Sequence, residues 1–231
     1  MALAAQLITV IFVGSSPTRL IGYIMNIFVL HPSPLKSAHH MCDKHIVKMP
    51  VETAQMLSTI HRMLDGEEYV DYSKTGRRIK RWTHWLDGDM PDRKYLYHAT
   101  MVNHPCTIWA RETLGNYMWL VYHGRELCRE YTRRYGRRHA SESIIEFCHE
   151  SWPENIDQDT YHKRTPFAQA MPDEYKVEGD AVSAYRKYYM GEKSRFAKWK
   201  KGIGHSDFRR RQHRHRPEWY QPEWFDKSVC V

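Results

Sequence analysis

The chain has 231 residues, of which 42% are hydrophobic and 13% aromatic, and its formal net charge is +8. This length allows one or two domains with a substantial core, and the composition excludes a disordered chain and a bundle of membrane helices. The charge is uneven: +3 over residues 1–100, −3 over 101–180 and +8 over 181–231. A basic chain rich in aromatic residues favours an anionic partner, with nucleic acid first.

The amino-terminal 24 residues open with an apolar run that lacks the basic start of a signal peptide and is too short to span a bilayer. Met25 begins the segment MNIFVL, which is typical of the start of a folded chain. We therefore expect residues 1–24 to be an extension outside the fold, with a cleaved leader as the alternative. The five cysteines form no C-x-x-C pair, which predicts reduced thiols in a cytoplasmic protein.

The predicted elements begin with a short strand over residues 26–31 and a helix from about Lys36. Apolar side chains recur in this helix at helical spacing, which predicts one buried face; they are Ile46, Met49, Thr53, Leu57, Ile60 and Leu64. Pro50 lies inside the pattern, where it removes a backbone hydrogen bond and should kink or split the helix. Residues 65–100 lose this periodicity and are expected to form a long insertion with a hairpin.

A long helix is expected over 105–135, with Pro105 in its first turn and Gly136 as its carboxyl-terminal cap. Another helix is expected over 139–149, followed by a loop, a cap at Thr165 and a last helix capped by Asp180. Residues 202–231 form a basic tail. The pattern predicts a mainly α, compact single-domain fold over 25–201, with an insertion and an irregular tail.

The first long helix also carries a polar stripe at helical spacing, made of His45, Lys48, Glu52, Gln55, Thr59 and Arg62. A glutamate between a lysine and a histidine is suited to general acid–base catalysis. The alternative is the ordinary solvated face that any amphipathic helix has.

A metal site is a further hypothesis for the histidine-rich segment that contains His39, His40, Cys42 and His45. Residues 39 and 45 point apart, and no second ligand pair follows, so we predict no metal and no cofactor. The segment NHPCTIWAR instead offers a phosphate site at a helix start, with Asn103 and Arg111; plain helix capping explains it equally well.

Residues 185–201 combine seven Lys or Arg residues and five aromatic residues with a single acid, Glu192. Basic side chains bind phosphates and aromatic rings stack on bases, so this segment is the predicted nucleic-acid contact. The predicted contacts are Arg186, Lys187, Tyr188, Lys193, Lys198 and Trp199, together with Lys44, Arg62 and Arg111. The alternative is a helix with core tyrosines and solvated lysines.

These motifs resemble those of a known family. DKHIVKMPVE, residues 43–52, resembles the D-x-H-[LI]-x-x-x-x-x-E helix of the pyrimidine-dimer DNA glycosylases, the endonuclease V type known from bacteriophages. YRKYY, residues 185–189, is similar to the W-Y-K-Y-Y segment near the carboxyl terminus of that family. The likeness extends over about residues 25–201.

The resemblance implies an all-helical, metal-independent enzyme that kinks DNA at a cyclobutane dimer. It implies an α-amine near Met25 or Asn26 that attacks the sugar C1′, with Glu52 as the acid/base; to these we add His45 as an assisting group. The phosphate-holding arginines of the family fall on Val51 and Gln55 here. If the α-amine is blocked, Lys44 or Lys48 is the available substitute.

The sequence therefore predicts a base-excision enzyme, a glycosylase with AP-lyase activity on damaged or modified pyrimidines. Its catalytic residues would be Glu52, His45, Lys48 and Asn26, and its partner double-stranded DNA. We expect a monomer without membrane contact in the cytoplasm of a bacterial or infected cell. The alternatives are a non-catalytic nucleic-acid-binding protein of phage type and an enzyme for a nucleotide or another phosphorylated small molecule.

Overall fold

The structure is a computed structural model that describes residues 26–89, 95–200 and 216–221. Its helices are α1 (Pro34–His40), α2 (Asp43–Asp65), α3 (Leu86–Asp89), α4 (Pro105–Glu112), α5 (Leu114–Tyr135), α6 (Glu142–Glu150) and α7 (Ala181–Glu192). The strands are β1 (Glu68–Tyr72) and β2 (Arg78–Trp82). The mainly α fold is thus confirmed. The expected extension 1–24 and most of the tail lie outside the described residues.

The central element of the fold is α5, which contacts α1, α2, α4 and α6. Its first turn is capped by Thr113, whose hydroxyl accepts from the amide of Asn116. Thr113 has an extended backbone and also ends α4, so the single long helix expected over 105–135 is two helices. Gly136 ends α5 at φ +70°, the left-handed conformation that glycine adopts without a Cβ clash.

Residues 26–30 are buried but form no strand among the described residues, contrary to the sequence prediction. Side chains satisfy their backbone groups in place of a neighbouring strand. The hydroxyl of Ser37 donates to the carbonyl of Phe28 and accepts from the amide of Leu30. Phe28 has φ +40°, which is unfavourable for a residue with a Cβ. Residues 26–30 are thus buried, as their largely apolar composition indicated, but they do not form the predicted strand.

The predicted break in the first long helix falls at residues 41–42, not at Pro50. α1 ends at His40, and α2 then continues from Asp43 through Pro50 to Asp65. Cys42 precedes α2 in an extended conformation, and its amide donates to the hydroxyl of Tyr189 on α7. Pro50 is buried inside α2, where it lacks the N–H that would otherwise donate to the carbonyl one turn earlier.

The expected hairpin is present: β1 and β2 pair antiparallel, with Glu68 opposite Trp82 and Tyr72 opposite Arg78. The base of the hairpin lies close to the end of α2. A Cβ on Gly66 would lie 2.0 Å from the carbonyl oxygen of Thr83, so only glycine fits there. That residues 65–100 are an insertion stays a prediction.

Between α6 and α7 the described chain contains only two single-turn 3-10 helices, Gln158–Thr160 and Asp173–Tyr175. Asp180 then caps α7, as predicted, by accepting from the amide of Ser183. Thr165, by contrast, starts no helix; its hydroxyl donates to Glu112 and its amide to Asn116. Residues 216–221 return to the fold, where Tyr220 packs against Trp199. The described core residues form one hydrophobic cluster. None of the described helices has the length and apolarity to cross a membrane.

Candidate active site

Glu52 lies in the first half of α2 with its side chain only 10% exposed. Its Oε2 accepts a hydrogen bond from the backbone nitrogen of Asn26 at 3.0 Å. Its Oε1 forms an ion pair with Nζ of Lys48, one helical turn earlier, at 2.7 Å. Burial raises the pKa of the Glu52 carboxyl above its usual range, and the Lys48 charge opposes that rise. A buried carboxylate with a raised pKa is suited to accepting a proton near neutral pH.

The backbone nitrogen of Asn26 is held in place by the side chain of the same residue. Its Nδ2 donates to the carbonyl of Ala170 at 2.8 Å, and its Oδ1 accepts from the amides of Ile27 and Phe28. The residue is 1% exposed. These bonds fix the direction of the first described residue, so the nitrogen points at the Glu52 carboxylate.

His45 lies two turns before Glu52 inside an aromatic cluster. Its ring stacks on Phe28 with centroids 4.5 Å apart and meets Tyr189 and Phe196 edge-on. Burial lowers the pKa of His45 to about 3, helped by the charges of Lys193 and Lys48, so the ring is neutral at pH 7. Its Nδ1 has no hydrogen-bond partner among the described residues. The assisting role expected for His45 stays a prediction.

The carboxyl-terminal segment supplies a second cation to this site. Nζ of Lys193, just after α7, lies 4.3 Å from the ring centroid of Tyr188 and donates to its hydroxyl at 2.9 Å. Lys193 is close enough to Glu52 for its charge to lower the pKa of that carboxyl. The ring of Tyr188 is buried against Phe28 and Tyr175, so it packs in the core and is not exposed for stacking on bases.

Asp43 joins the basic segment to the start of α2. Its amide donates to the carbonyl of Lys198 at 2.8 Å, and its carboxylate accepts from the amide of Lys200 at 2.7 Å. The same carboxylate accepts from the buried guanidinium of Arg134 on α5. The aspartate of the D-x-H motif therefore holds the basic segment beside the helix that carries Glu52.

The predicted DNA contacts fall into two groups. Lys44, Lys187 and Lys198 have exposed side chains, and Lys44 lies over the ring of Phe196. Two other side chains of the segment are tied to the fold. Arg186 donates to the carbonyl of Leu30, and Trp199 donates to the carbonyl of His40.

Two further arginines, Arg62 and Arg111, donate hydrogen bonds to groups of the protein itself, and their predicted contact with DNA stays a prediction. Arg62 is 2% exposed and binds both carboxylate oxygens of Asp87 at 2.7 Å, as well as the carbonyls of Tyr97 and Trp82. Arg111 donates to the carbonyl of Val102 at 2.7 Å. Arg62 is buried and therefore needs its hydrogen bonds satisfied inside the protein, whereas Arg111 is only partly buried.

The phosphate site considered at Asn103 stays a prediction, and the contacts at this helix start are those of a capped helix. The side chain of His104 caps α4 by accepting from the amide of Cys106, so this helix start is satisfied internally. Arg111 is the predicted second half of that site, and its guanidinium is turned to Val102. The plain capping interpretation accounts for these contacts.

The histidine-rich segment is dispersed by the fold. His39 pairs with Glu130 on α5, and Nδ1 of His40 accepts from the indole of Trp219. Cys42 and the other described cysteines are buried free thiols, as expected of reduced residues; the others are Cys106, Cys128 and Cys148. The residues that sequence reasoning missed at the site are Phe28 and Phe196, because isolated aromatic residues carry no spacing signal.

A protein-family model described as pyrimidine dimer DNA glycosylase matches residues 25–143, just over half of the chain. The match begins at the segment that carries Asn26 and includes all of α2. Comparison with curated proteins finds no match, and neither does comparison with solved structures.

Proposed function

The chain belongs to the pyrimidine dimer DNA glycosylase family, and we propose that it excises pyrimidine dimers. The nucleophile is an amine at residue 26, and Glu52 is the acid/base. The enzyme then cuts the DNA strand as an AP lyase. The observation that carries this proposal is the 3.0 Å distance between the Asn26 nitrogen and Glu52 Oε2. An amine at that position would have a proton acceptor within hydrogen-bond reach.

The first proposed step is displacement of the base. The amine nitrogen forms a bond to C1′ of the damaged nucleotide, and the bond from C1′ to the pyrimidine breaks, with its electron pair leaving on the base. Glu52 accepts the proton that the attacking amine loses. Glu52 then passes this proton to O4′ as the bond between C1′ and O4′ opens, which gives a protonated Schiff base and returns Glu52 to its carboxylate form.

The second proposed step is cleavage of the strand. The carboxylate of Glu52 balances the positive charge of the Schiff base and then accepts a proton from C2′. The electron pair left on C2′ expels the 3′ phosphate oxygen by β-elimination. A buried carboxylate is effective here because few water molecules screen it.

The amine requires a free amino terminus at residue 26. In a longer chain the Asn26 nitrogen is a planar amide whose lone pair is delocalised into the carbonyl, so it is not a nucleophile. Lys48 is the alternative amine, since its Nζ lies 2.7 Å from Glu52 Oε1. We favour residue 26 because its nitrogen is buried and fixed, whereas the Lys48 side chain is 49% exposed.

DNA binding is proposed to use the basic surface beside the site. Lys44 and Lys48 lie at the start of α2, and Asp43 holds Lys198 and Lys200 next to them. Lys193 adds a cation close to Glu52. These lysines take the place of the phosphate-holding arginines, whose positions are Val51 and Gln55 here. Exposed lysines release counterions from DNA and so bind it without sequence preference.

The test compares three forms of the chain, which begin at residue 1, at Met25 and at Asn26. Each is expressed as a fusion protein and released by a protease, so that its first residue is defined. Each is incubated with a duplex containing one cyclobutane pyrimidine dimer, and borohydride is added to reduce any Schiff base. We expect a trapped protein–DNA adduct with the form that begins at Asn26, and none with the full chain or with the form that begins at Met25. Peptide mapping of the adduct identifies the modified nitrogen.

The Lys48→Met variant is the matched control, because it removes the amine that pairs with Glu52 and keeps the side-chain length. If its form beginning at Asn26 still forms the adduct and peptide mapping finds the modification on residue 26, not on Lys193, the α-amine is the nucleophile. An adduct on Lys48 in the full chain would overturn the proposed role of residue 26. If all three forms bind the dimer duplex and none forms an adduct, the proposed enzymatic activity is refuted and the protein is a DNA-binding protein without catalysis.

A further inference from the structure

A second cluster of polar side chains lies at the carboxyl end of α2. His61 and Asp65 occupy successive turns of the helix, and His84 follows β2 in the chain. One ligand atom from each of the three lies within 4.8 Å of the other two. His61 is nine residues beyond Glu52, which is about 14 Å along the helix axis. The cluster is therefore separate from the candidate active site.

The hydrogen bonds around His61 leave its Nδ1 with a lone pair. Nε2 of His61 lies 2.9 Å from the hydroxyl of Tyr117, and that hydroxyl donates its one proton to the carbonyl of Cys148. His61 must then donate to Tyr117 through Nε2–H, so the neutral ring carries its free lone pair on Nδ1. A hydrogen bond that fixes the tautomer in this way is typical of metal-binding histidines.

His84 contributes a buried nitrogen that the protein does not use. The residue is 5% exposed, and its Nε2 has no hydrogen-bond partner within the part of the chain that the structure describes. Its Nδ1 accepts from the amide of Leu86 at 3.3 Å, near the long limit for such a bond. Binding an ion through Nε2 would move the ring proton to Nδ1 and give up only this long bond.

The carboxylate of Asp65 accepts hydrogen bonds from the loop that follows α6, and these bonds fix its orientation. Oδ1 accepts from the amide and side chain of Asn155, and Oδ2 accepts from the amide of Glu154. The nearby guanidinium of Arg62 is bound at both ends by Asp87 and so adds little net charge. Asp65 is left as the anionic group of the cluster.

We propose that His61, Asp65 and His84 bind a divalent transition-metal ion, with Zn²⁺ the ion that best suits two imidazoles and one carboxylate. Ligands of a tetrahedral Zn²⁺ lie roughly 3.3 Å apart, so small rotations must close the present spacing of up to 4.8 Å. The ion would be structural. It joins the end of α2 to the end of the hairpin, where Gly66 already brings Thr83 against the helix.

The test is direct titration of the full chain, prepared without an affinity tag and treated with a chelator. Zn²⁺ binding is measured by calorimetry, and Co²⁺ binding by the visible absorption of its d–d bands. We expect one ion per chain and a higher thermal unfolding temperature with Zn²⁺. His84→Ala and Asp65→Asn should each weaken binding at least about tenfold, because each removes a ligand.

Two controls address other histidines. His162→Ala removes an exposed histidine on a loop and should bind as the unchanged chain does. The double variant His213→Ala/His215→Ala removes the H-R-H sequence of the tail, and loss of Zn²⁺ binding there would overturn the proposal. Absence of saturable binding would do so too, as would unchanged affinity in a folded Asp65→Asn variant. Circular dichroism of each variant establishes that it is folded.

Discussion

The Glu52→Gln substitution tests whether the Glu52 carboxylate has a catalytic or a structural role. Glutamine has the same shape, and its side-chain oxygen can still accept from the Asn26 nitrogen that Glu52 now holds at 3.0 Å. The ion pair with Lys48 is lost, and the amide group next to that lysine cannot accept a proton. The substitution thus removes charge and basicity while keeping the contact that positions residue 26.

The expected magnitudes differ sharply between stability and rate. Lys48 is 49% exposed, and a pair with such an exposed partner contributes at most about 1 kcal/mol to folding. Burial raises the Glu52 pKa, which means that the charged form is itself costly to bury. The free energy of unfolding should therefore change by less than about 1 kcal/mol. Loss of acid–base catalysis should slow cleavage by about 10²–10⁴-fold, or roughly 3–5 kcal/mol of activation free energy.

The assay is single-turnover cleavage of the dimer duplex by the most active amino-terminal form, with binding measured by fluorescence anisotropy at one fixed salt concentration. Glu126→Gln is the matched control. Glu126 is also a buried glutamate, 8% exposed in its side chain, and it is paired with the exposed Arg129 on the following turn of α5. The Glu126→Gln variant should lose a similar ion pair, the one with Arg129, and should cleave at the rate of the unchanged protein.

The reasoning would be refuted by a Glu52→Gln variant that is folded, binds DNA and cleaves within about threefold of the unchanged protein. A loss of cleavage accompanied by an equal loss of DNA binding would assign Glu52 to the interface and not to proton transfer. A fall in thermal stability larger than that of Glu126→Gln would instead make its role structural.

Three further changes test the fold around the site. Arg134→Met removes a guanidinium that is 1% exposed and paired with Glu130, and we expect it to cost about 3–5 kcal/mol of stability. The stability of the His45→Phe variant should depend less on pH than that of the unchanged protein. The pKa of His45 is about 3 in the folded protein and 6.5 as the ordinary value. As the pH falls below 6.5, the unfolded chain therefore binds a proton that the folded protein does not, and the free energy of unfolding falls. Between pH 7 and pH 5 this effect is about 2 kcal/mol. Gly66→Ala should cost about 2–3 kcal/mol, because the new Cβ meets the Thr83 carbonyl.

Urea unfolding at fixed pH measures the first and third of these changes, and unfolding at pH 7 and pH 5 measures the second. An Arg134→Met variant as stable as the unchanged protein would show that the buried ion pair is dispensable. Equal pH dependence with and without His45 would show that folding does not lower the pKa of its ring. A Gly66→Ala variant of normal stability would contradict the close approach of β2 to α2.

The candidate site was predictable from the sequence where its residues share one helix. His45, Lys48 and Glu52 follow helical spacing, and the D-x-H motif and the glutamate seven residues later carry the family resemblance. Such spacing survives because the helix repeat is fixed by backbone geometry. The left-handed cap at Gly136 and the Asp180 cap were predictable for the same local reason.

Long-range contacts decided the rest. The contact of the Asn26 nitrogen with Glu52 spans 26 residues, and its anchor at Ala170 spans 144. Arg62 has helical spacing with Glu52, yet Asp87 and two carbonyls turn it into the fold. The sequence determined which helix carries the acid and how its polar face is spaced, because those are local properties. The tertiary structure decided that the nitrogen of Asn26, one of the candidates from the sequence, contacts that acid, because packing brings distant segments of the chain together.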